Sequence, residues 1–403
     1  MRLDIYRPDA KVARFLSVLA LFGVSYGLYR GIQDNYLAEI VHITAFERGI
    51  VEFFRETPGL LVVLILAWMY RFTESRIFKI GIAIMAAGLV GLLLSTSGKV
   101  ITVICMVLFS TGEHIIMPVR TTISLDLAQS SKGGASLGVT SAISNAGNIL
   151  GFLMVTTMFF VFSRLGFART DVLQFKGVFA VAVALMVAAV LIVLALQEST
   201  IKTPRRRFYF ARKFVTYYIL EVFYGARKQI FLTFAPYVLI LQYGADTSVI
   251  ALLLAICAGF GIIFSPLTGK LIDRLGYKFI MVSDTLLLIV VCFFYGFAHR
   301  LFPPQVAFIV VCVNYVLDSI ISLASMASNV YVQAIASSQQ EITATLSTGI
   351  SVNHLISIFI ALMGGWIWKV TGIEVLFSIS AFLGLLNSIY AATIKVETRS
   401  TSS

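Results

Sequence analysis

Eleven ionisable side chains, Arg30, Asp34, Glu52, Arg55, Glu56, Glu113, Arg120, Glu221, Arg227, Lys228 and Asp318, stand inside runs that are otherwise apolar. In a surrounding of low dielectric each costs at least about 2.5–3.5 kcal/mol unless it has a partner, a wet cavity or a task. Five are positive and six negative. Two chemistries therefore compete: mutual neutralisation as buried ion pairs, and recognition of a charged solute or a moving proton.

Spacing sorts these residues into groups. Glu52, Arg55 and Glu56 fall at i, i+3 and i+4, so they can satisfy one another along one helical face; the alternative is a proton-coupling carboxylate among them. At about 100° per residue, Tyr26, Arg30 and Gln33 share one stripe, and Glu221, Tyr224 and Lys228 share another. Each stripe offers a cation beside an aromatic hydroxyl, which suits an anion. The competing expectation is internal neutralisation, of Arg30 by Asp34 and of Lys228 by Glu221. Glu113 and Arg120 lie on one face and could pair through a water. Asn314, Asp318, Ser325 and Asn329 form a polar stripe that reads as cavity lining. Asp318 has no cation at helical spacing on its own segment, which makes it a candidate protonatable coupling residue.

His114 and His354 are expected as hydrogen-bonded packing residues, with proton relay as the alternative. Ser144, Asn145, Asn148 and Asn353 either line a path or serve helix contact. Cys105, Cys257, Cys292 and Cys312 show no CxxC or Cys/His spacing, so neither a metal site nor a disulfide is expected. No phosphate-binding Gly loop, HExxH or dinucleotide turn is present. The expectation is a protein that is not an enzyme and needs no cofactor.

The elements that carry these residues are long and apolar. Of 403 residues, 59% are hydrophobic and 13% charged, with a mean hydropathy of +0.92, well above the roughly 45–50% apolar share of soluble domains. A spanning helix takes about 20 residues. Breaks at Gly, Pro and charge clusters predict spans at 15–41, 48–70, 77–97, 100–128, 134–163, 175–197, 213–242, 247–272, 279–298, 303–334, 342–368 and 374–394. The first is expected to remain as an uncleaved anchor, because no small-residue cleavage site follows it.

Lys and Arg are concentrated on the segments that share a side with the N-terminus, which predicts both termini in the cytoplasm of a cell whose plasma or inner membrane holds the protein. The stretch 198–213 is the longest polar interruption and carries Arg205, Arg206 and Arg207. It is expected to be a cytoplasmic linker between a half at 1–197 and a half at 214–403. Its charge, like the net +11, suits anionic lipid headgroups rather than nucleic acid.

The halves resemble one another. Residues 26–32, YGLYRGI, align with residues 224–230, YGARKQI, and Gly59 with Gly261, Arg76 with Lys278 and Leu137 with Leu346 follow at slowly increasing offsets. A duplication with small loop insertions leaves such a drift, and internal repeats build many transporters. Arg30 and Lys228 occupy equivalent positions, so a two-fold arrangement would set two cations around one central cavity.

Gly269-Lys270-Leu271-Ile272-Asp273-Arg274-Leu275-Gly276-Tyr277-Lys278 resembles the G-x-x-x-D-R-x-G-x-K loop of major facilitator transporters. The resemblance implies an all-α membrane protein of two pseudo-symmetric six-helix bundles, and a loop that helps hold the cytoplasmic gate through Gly269, Asp273, Arg274, Gly276 and Lys278. The corresponding first-half loop, residues 67–76, keeps basic residues but lacks the Asp and both Gly. The stretch from Met117-Pro118 through Asp126 to Gly138 is similar to the family's fourth and fifth spans, without the Arg that its proton antiporters carry earlier in the fourth. Arg30 with Ala38, and Lys228 with Pro236, are similar in spacing to the paired basic residues of organophosphate:phosphate antiporters, with Lys in place of the second Arg.

The leading expectation is a secondary transporter, monomeric in the bilayer, moving a small organic solute such as a phosphate ester or carboxylate by alternating access, coupled to protons or a counter-substrate. The alternatives are a proton-coupled drug or metabolite exporter, with Glu56, Glu113 or Asp318 carrying the proton, and a non-transporting sensor or scaffold.

Overall fold

The computed structural model describes residues 5–6, 10–96, 98–129, 132–197 and 209–394. The helices are α1 Ala10–Ile40, α2 Ala45–Trp68, α3 Glu74–Leu94, α4 Lys99–Leu127, α5 Gly133–Arg164, α6 Val172–Leu194, α7 Val215–Tyr243, α8 Thr247–Leu275, α9 Tyr277–Leu301, α10 Pro304–Ile335, α11 Gln339–Thr371 and α12 Ile373–Ala392. Their ends lie within five residues of those expected from hydropathy. Arg205, Arg206 and Arg207 lie outside the described residues.

Ten of the described helices are long and apolar enough to cross a membrane by length and composition. The other two are α2 and α7, which carry Glu52, Arg55 and Glu56, and Glu221, Arg227 and Lys228. Charge lowers their mean hydropathy.

The chain divides into two compact units, Met1–Arg205 with Ile240–Ala258, and Arg206–Leu239 with Gly259–Ser403. In the first, α1 packs on α5 and α6, α3 on α4 and α6, and α2 on α4. The α1–α5 crossing depends on small residues, as close helix approach in a membrane requires: a Cβ on Gly147 would lie 2.9 Å from Gly23 Cα, and one on Gly151 2.7 Å from Leu28 N. Thr44 and Glu47 close a capping box on α2, and Thr73 caps α3. The C-terminal end of α3 is closed by a cation: Lys176 Nζ donates to the carbonyls of Leu92, Leu93 and Ser95, each at 2.7 Å, where the helix dipole favours positive charge.

In the second unit α9 packs on α10 and α12. Phe214, Tyr217, Met281, Ala327, Val332 and Ala391 form a buried core around the start of α7. Tyr209 and Lys213, just before this unit's first helix, donate to Glu341 at 2.8 and 2.6 Å. The middle of α10, Ser322–Ser325, tightens into a 3-10 turn, a deviation common where a helix serves a site.

Candidate functional site

In the first unit the buried charges form one alternating chain. Arg48 lies fully buried, with its Nη2 3.0 Å from Asp34 Oδ1 and its Nη1 2.7 Å from Glu52 Oε2. Arg55 then joins Glu52 at 2.5 Å and Glu56 directly. Ser110 Oγ donates to the Arg55 carbonyl at 2.6 Å, and His114 Nδ1 sits 2.8 Å from the Ser110 carbonyl. Two guanidinium groups thus share three carboxylates, which is how charge survives in a dry helix bundle.

The expected Arg30–Asp34 pair is not formed, because Asp34 is taken by Arg48. Arg30 instead donates from Nη1 to the neutral Gln33 Oε1 at 2.7 Å, and among the described residues it makes no ion pair. Tyr26, one turn earlier, donates from its hydroxyl to Glu113 Oε1 at 2.9 Å. The α1–α4 approach thus brings Glu113 a direct donor, while Arg120, seven residues along α4, lies within electrostatic reach of the same carboxylate. Tyr29 and Tyr26 both pack on Phe109, at 4.3 and 6.2 Å between ring centroids. Asn145 is exposed, its amide 3.4 Å from Ser141 Oγ.

The second unit repeats the pattern with different residues. Arg227 Nη2 donates to Asp284 Oδ2 at 2.7 Å, both buried, and its guanidinium lies 5.2 Å from the Tyr224 ring centre. Asp318 lies within electrostatic reach of the same Arg227, so the cation missing from its own helix comes from α7. Glu221 accepts from Ser328 Oγ at 3.1 Å and Asn353 Nδ2 at 3.3 Å. The expected Glu221–Lys228 bond is therefore not made, and these neutral donors serve the carboxylate. Lys228 Nζ stands 5.9 Å from the Tyr224 ring centre, a cation–π contact, and among the described residues it makes no ion pair.

Glu221, Tyr224, Arg227, Asp284, Ser325 and Asn387 line a small cleft. Asn314 lies outside it, its amide spent on the Val310 carbonyl at 2.7 Å. The expected stripe on α10 does not run continuously, because the 3-10 turn advances its residues faster than 100° each; Ser325 reaches the cleft while Asn329 is exposed.

At the α8–α9 turn Gly276 has φ +81°, a backbone angle that glycine adopts freely. Its N–H closes α8 on the Ile272 carbonyl at 2.8 Å. Gly269, Asp273 and Arg274 fall in the last turns of α8 and Lys278 in the first of α9. Asp273 and Arg274 are exposed, and among the described residues neither makes a hydrogen bond or ion pair.

Two charged residues that organise these networks escape sequence reasoning. Arg48 falls at the very edge of its predicted span, where it reads as a loop cation on the side opposite the N-terminus, and Asp284 lies near the start of another span. The signal for both is a charge bordering or within an apolar run, for which a partner on another helix has to be sought.

Long apolar helices that enclose ion pairs, and that hold Arg30, Arg120 and Lys228 without one among the described residues, define an integral membrane protein. The family model described as Major Facilitator Superfamily matches residues 15–353 and 217–403, and the chain belongs to that family of membrane transporters. Among solved structures it is similar to a point mutant of the nucleoside transporter NupG, with a TM-score of 0.77 at 12% identity over 96% of this chain and 100% of that one. It is also similar to a POT family transporter solved in complex with a thioalcohol-conjugated peptide, with a TM-score of 0.74 at 12% identity and 94% of each chain covered. A bacterial homologue of the human lysosomal transporter Spinster gives a TM-score of 0.67 at 14% identity, covering 96% and 95%. At these identities the likeness is one of fold. No curated protein matches the chain in sequence.

Proposed function

We propose that this transporter carries a small organic anion, a phosphate ester or carboxylate, by alternating access, with Arg30 and Lys228 each binding the solute's negative charge. The observation that supports this is a contrast within each unit. Arg48 and Arg55 are neutralised by Asp34, Glu52 and Glu56, and Arg227 by Asp284. Arg30 and Lys228 keep their charge without an ion pair, the first beside the neutral amide of Gln33 and the second beside the ring of Tyr224. A half-buried cation left unneutralised is costly, and an anionic solute supplies what is missing.

Arg30 presents a planar fork able to hold two oxygens of one group, whereas Lys228 acts as a point charge. Tyr26, Gln33 and Tyr224 are the further polar side chains assigned to the solute. The same reading divides the chain into a half at 1–197 and a half at 214–403, and places both termini in the cytoplasm.

A second reading, proton-coupled export, is favoured by one feature. Asp318 shares Arg227 with Asp284, so one cation serves two carboxylates and one of them is free to carry a proton.

Flux in proteoliposomes tests the first reading. Purified protein reconstituted with a trapped phosphate ester or carboxylate should exchange it for the labelled compound, and R30A and K228A should each abolish exchange. Binding without exchange would mark a sensor, and exchange of lipophilic cations that persists in both variants would favour the exporter.

A further inference from the structure

The loops after α1, α5 and α7 lie, by helix parity, on the side of the membrane opposite the N-terminus. One side chain joins all three. Arg169, in the loop between α5 and α6, donates from Nε to Glu39 Oε1 at 3.0 Å and from Nη2 to the same oxygen. Its Nη1 donates to the Gly244 carbonyl at 2.6 Å, and Nη2 also to the Ala245 carbonyl at 2.7 Å.

The acceptors are presented by local structure. Glu39 lies in a π-turn, Tyr36–Ile40, that ends α1; such turns often mark functional positions. Gly244 ends α7 with φ +68°, leaving carbonyls at the negative end of the helix dipole, where a cation is favoured. Asn35, fully buried, donates from Nδ2 to both Glu39 Oε1 and the Ala245 carbonyl, each at 3.1 Å. On the far side of the loop Thr156 of α5 donates to the Ser248 carbonyl at 3.3 Å. The α7–α8 turn is thus held through its backbone.

We propose that Arg169 and Glu39 form a latch that fastens the α7–α8 turn to the end of α1, closing this side of the protein, and that its release admits or discharges solute there. Three properties suit a latch rather than a permanent fastening. Arg169 is 43% exposed, so water can replace its bonds one at a time. Glu39 Oε2 is buried without a hydrogen-bond partner, so the closed form leaves one acceptor unmet that opening would hydrate. The captured groups are carbonyls, so the contact does not depend on which side chains the turn carries. The inference does not rest on the identity of the solute.

Cysteine accessibility tests it without a substrate. The four native cysteines are replaced, and A245C is introduced, since Ala245 is buried at the latch. A membrane-impermeant maleimide is applied from the side opposite the N-terminus. R169A is expected to raise the labelling rate about five-fold or more, and R169K to fall between, because an ammonium lacks the fork needed for three acceptors. Raising salt from 0.02 to 0.5 M should also speed labelling of A245C with Arg169 intact, by screening a pair whose guanidinium is half-exposed; about two-fold is expected. This second arm keeps the test decisive if R169A fails to accumulate. Equal labelling rates in R169A and the parent, or a rate with Arg169 intact that ignores salt, would overturn the latch.

Discussion

Arg227 donates to Asp284 across 57 positions of sequence, joining α7 to α9, while its neighbour Lys228 makes no ion pair among the described residues. One peptide bond separates a cation in an ion pair from one without. Helix geometry explains the split: successive residues point about 100° apart, so one faces α9 and the other does not.

Asp284→Asn should leave Arg227 buried without its counter-charge, which costs about 3–5 kcal/mol. The expected result is a large fall in thermal stability in detergent, recovered in part by the double variant R227M/D284L. Equal stability of D284N and the parent would show that the pair is dispensable.

Arg48→Met strands two carboxylates, but unequally. Asp34 loses both bonds the guanidinium gave it, whereas Glu52 keeps Arg55. A cycle with D34N should therefore show strong coupling, about 2 kcal/mol or more, and a cycle with E52Q weaker coupling. The readout is unfolding temperature for the singles and doubles.

The α1–α5 crossing offers a prediction free of charge effects. Gly147→Ala forces a methyl against Gly23 Cα and Val24 N, both 2.9 Å from the new atom, so the helices must separate. A loss of about 1–3 kcal/mol is expected. Gly138→Ala on the same helix meets nothing within 4 Å and should be nearly neutral in the same thermal assay.

Gly276→Ala isolates backbone strain, since an added Cβ there meets no neighbour and only the φ of +81° resists it. About 1–2 kcal/mol of destabilisation is expected. Gly276→Asn should cost about as much, because with ψ +151° the residue lies outside the left-handed helical region that Asn tolerates.

The helices are legible in the sequence because hydropathy runs and Gly or Pro breaks act locally, and so does the backbone freedom asked of Gly276. Partner choice is not. Asp34 is one turn from Arg30 on its own helix, yet it bonds Arg48 of α2, and Glu113 takes a hydrogen bond from Tyr26 of α1 that its own helix does not announce. Spacing along one helix reports which residues share a face; it carries no information on what the next helix presents to that face. The 3-10 turn at Ser322–Ser325 is hidden for a related reason, since Ser, Leu and Ala accept either helical form and tertiary packing selects one. Arg30 and Lys228 are legible in the sequence as equivalent cations, and within each unit the ion pairs of Arg48, Arg55 and Arg227 set them apart.

Ligand-dependent thermal stability of the purified protein tests the central claim most directly, because a solute that binds the folded state raises its apparent stability. Phosphate esters, carboxylates, amino acids, sugars and lipophilic cations would be compared on the parent protein, R30A and K228A. The account predicts stabilisation by an anionic class that disappears in both variants. Stabilisation by lipophilic cations that survives both substitutions would contradict it.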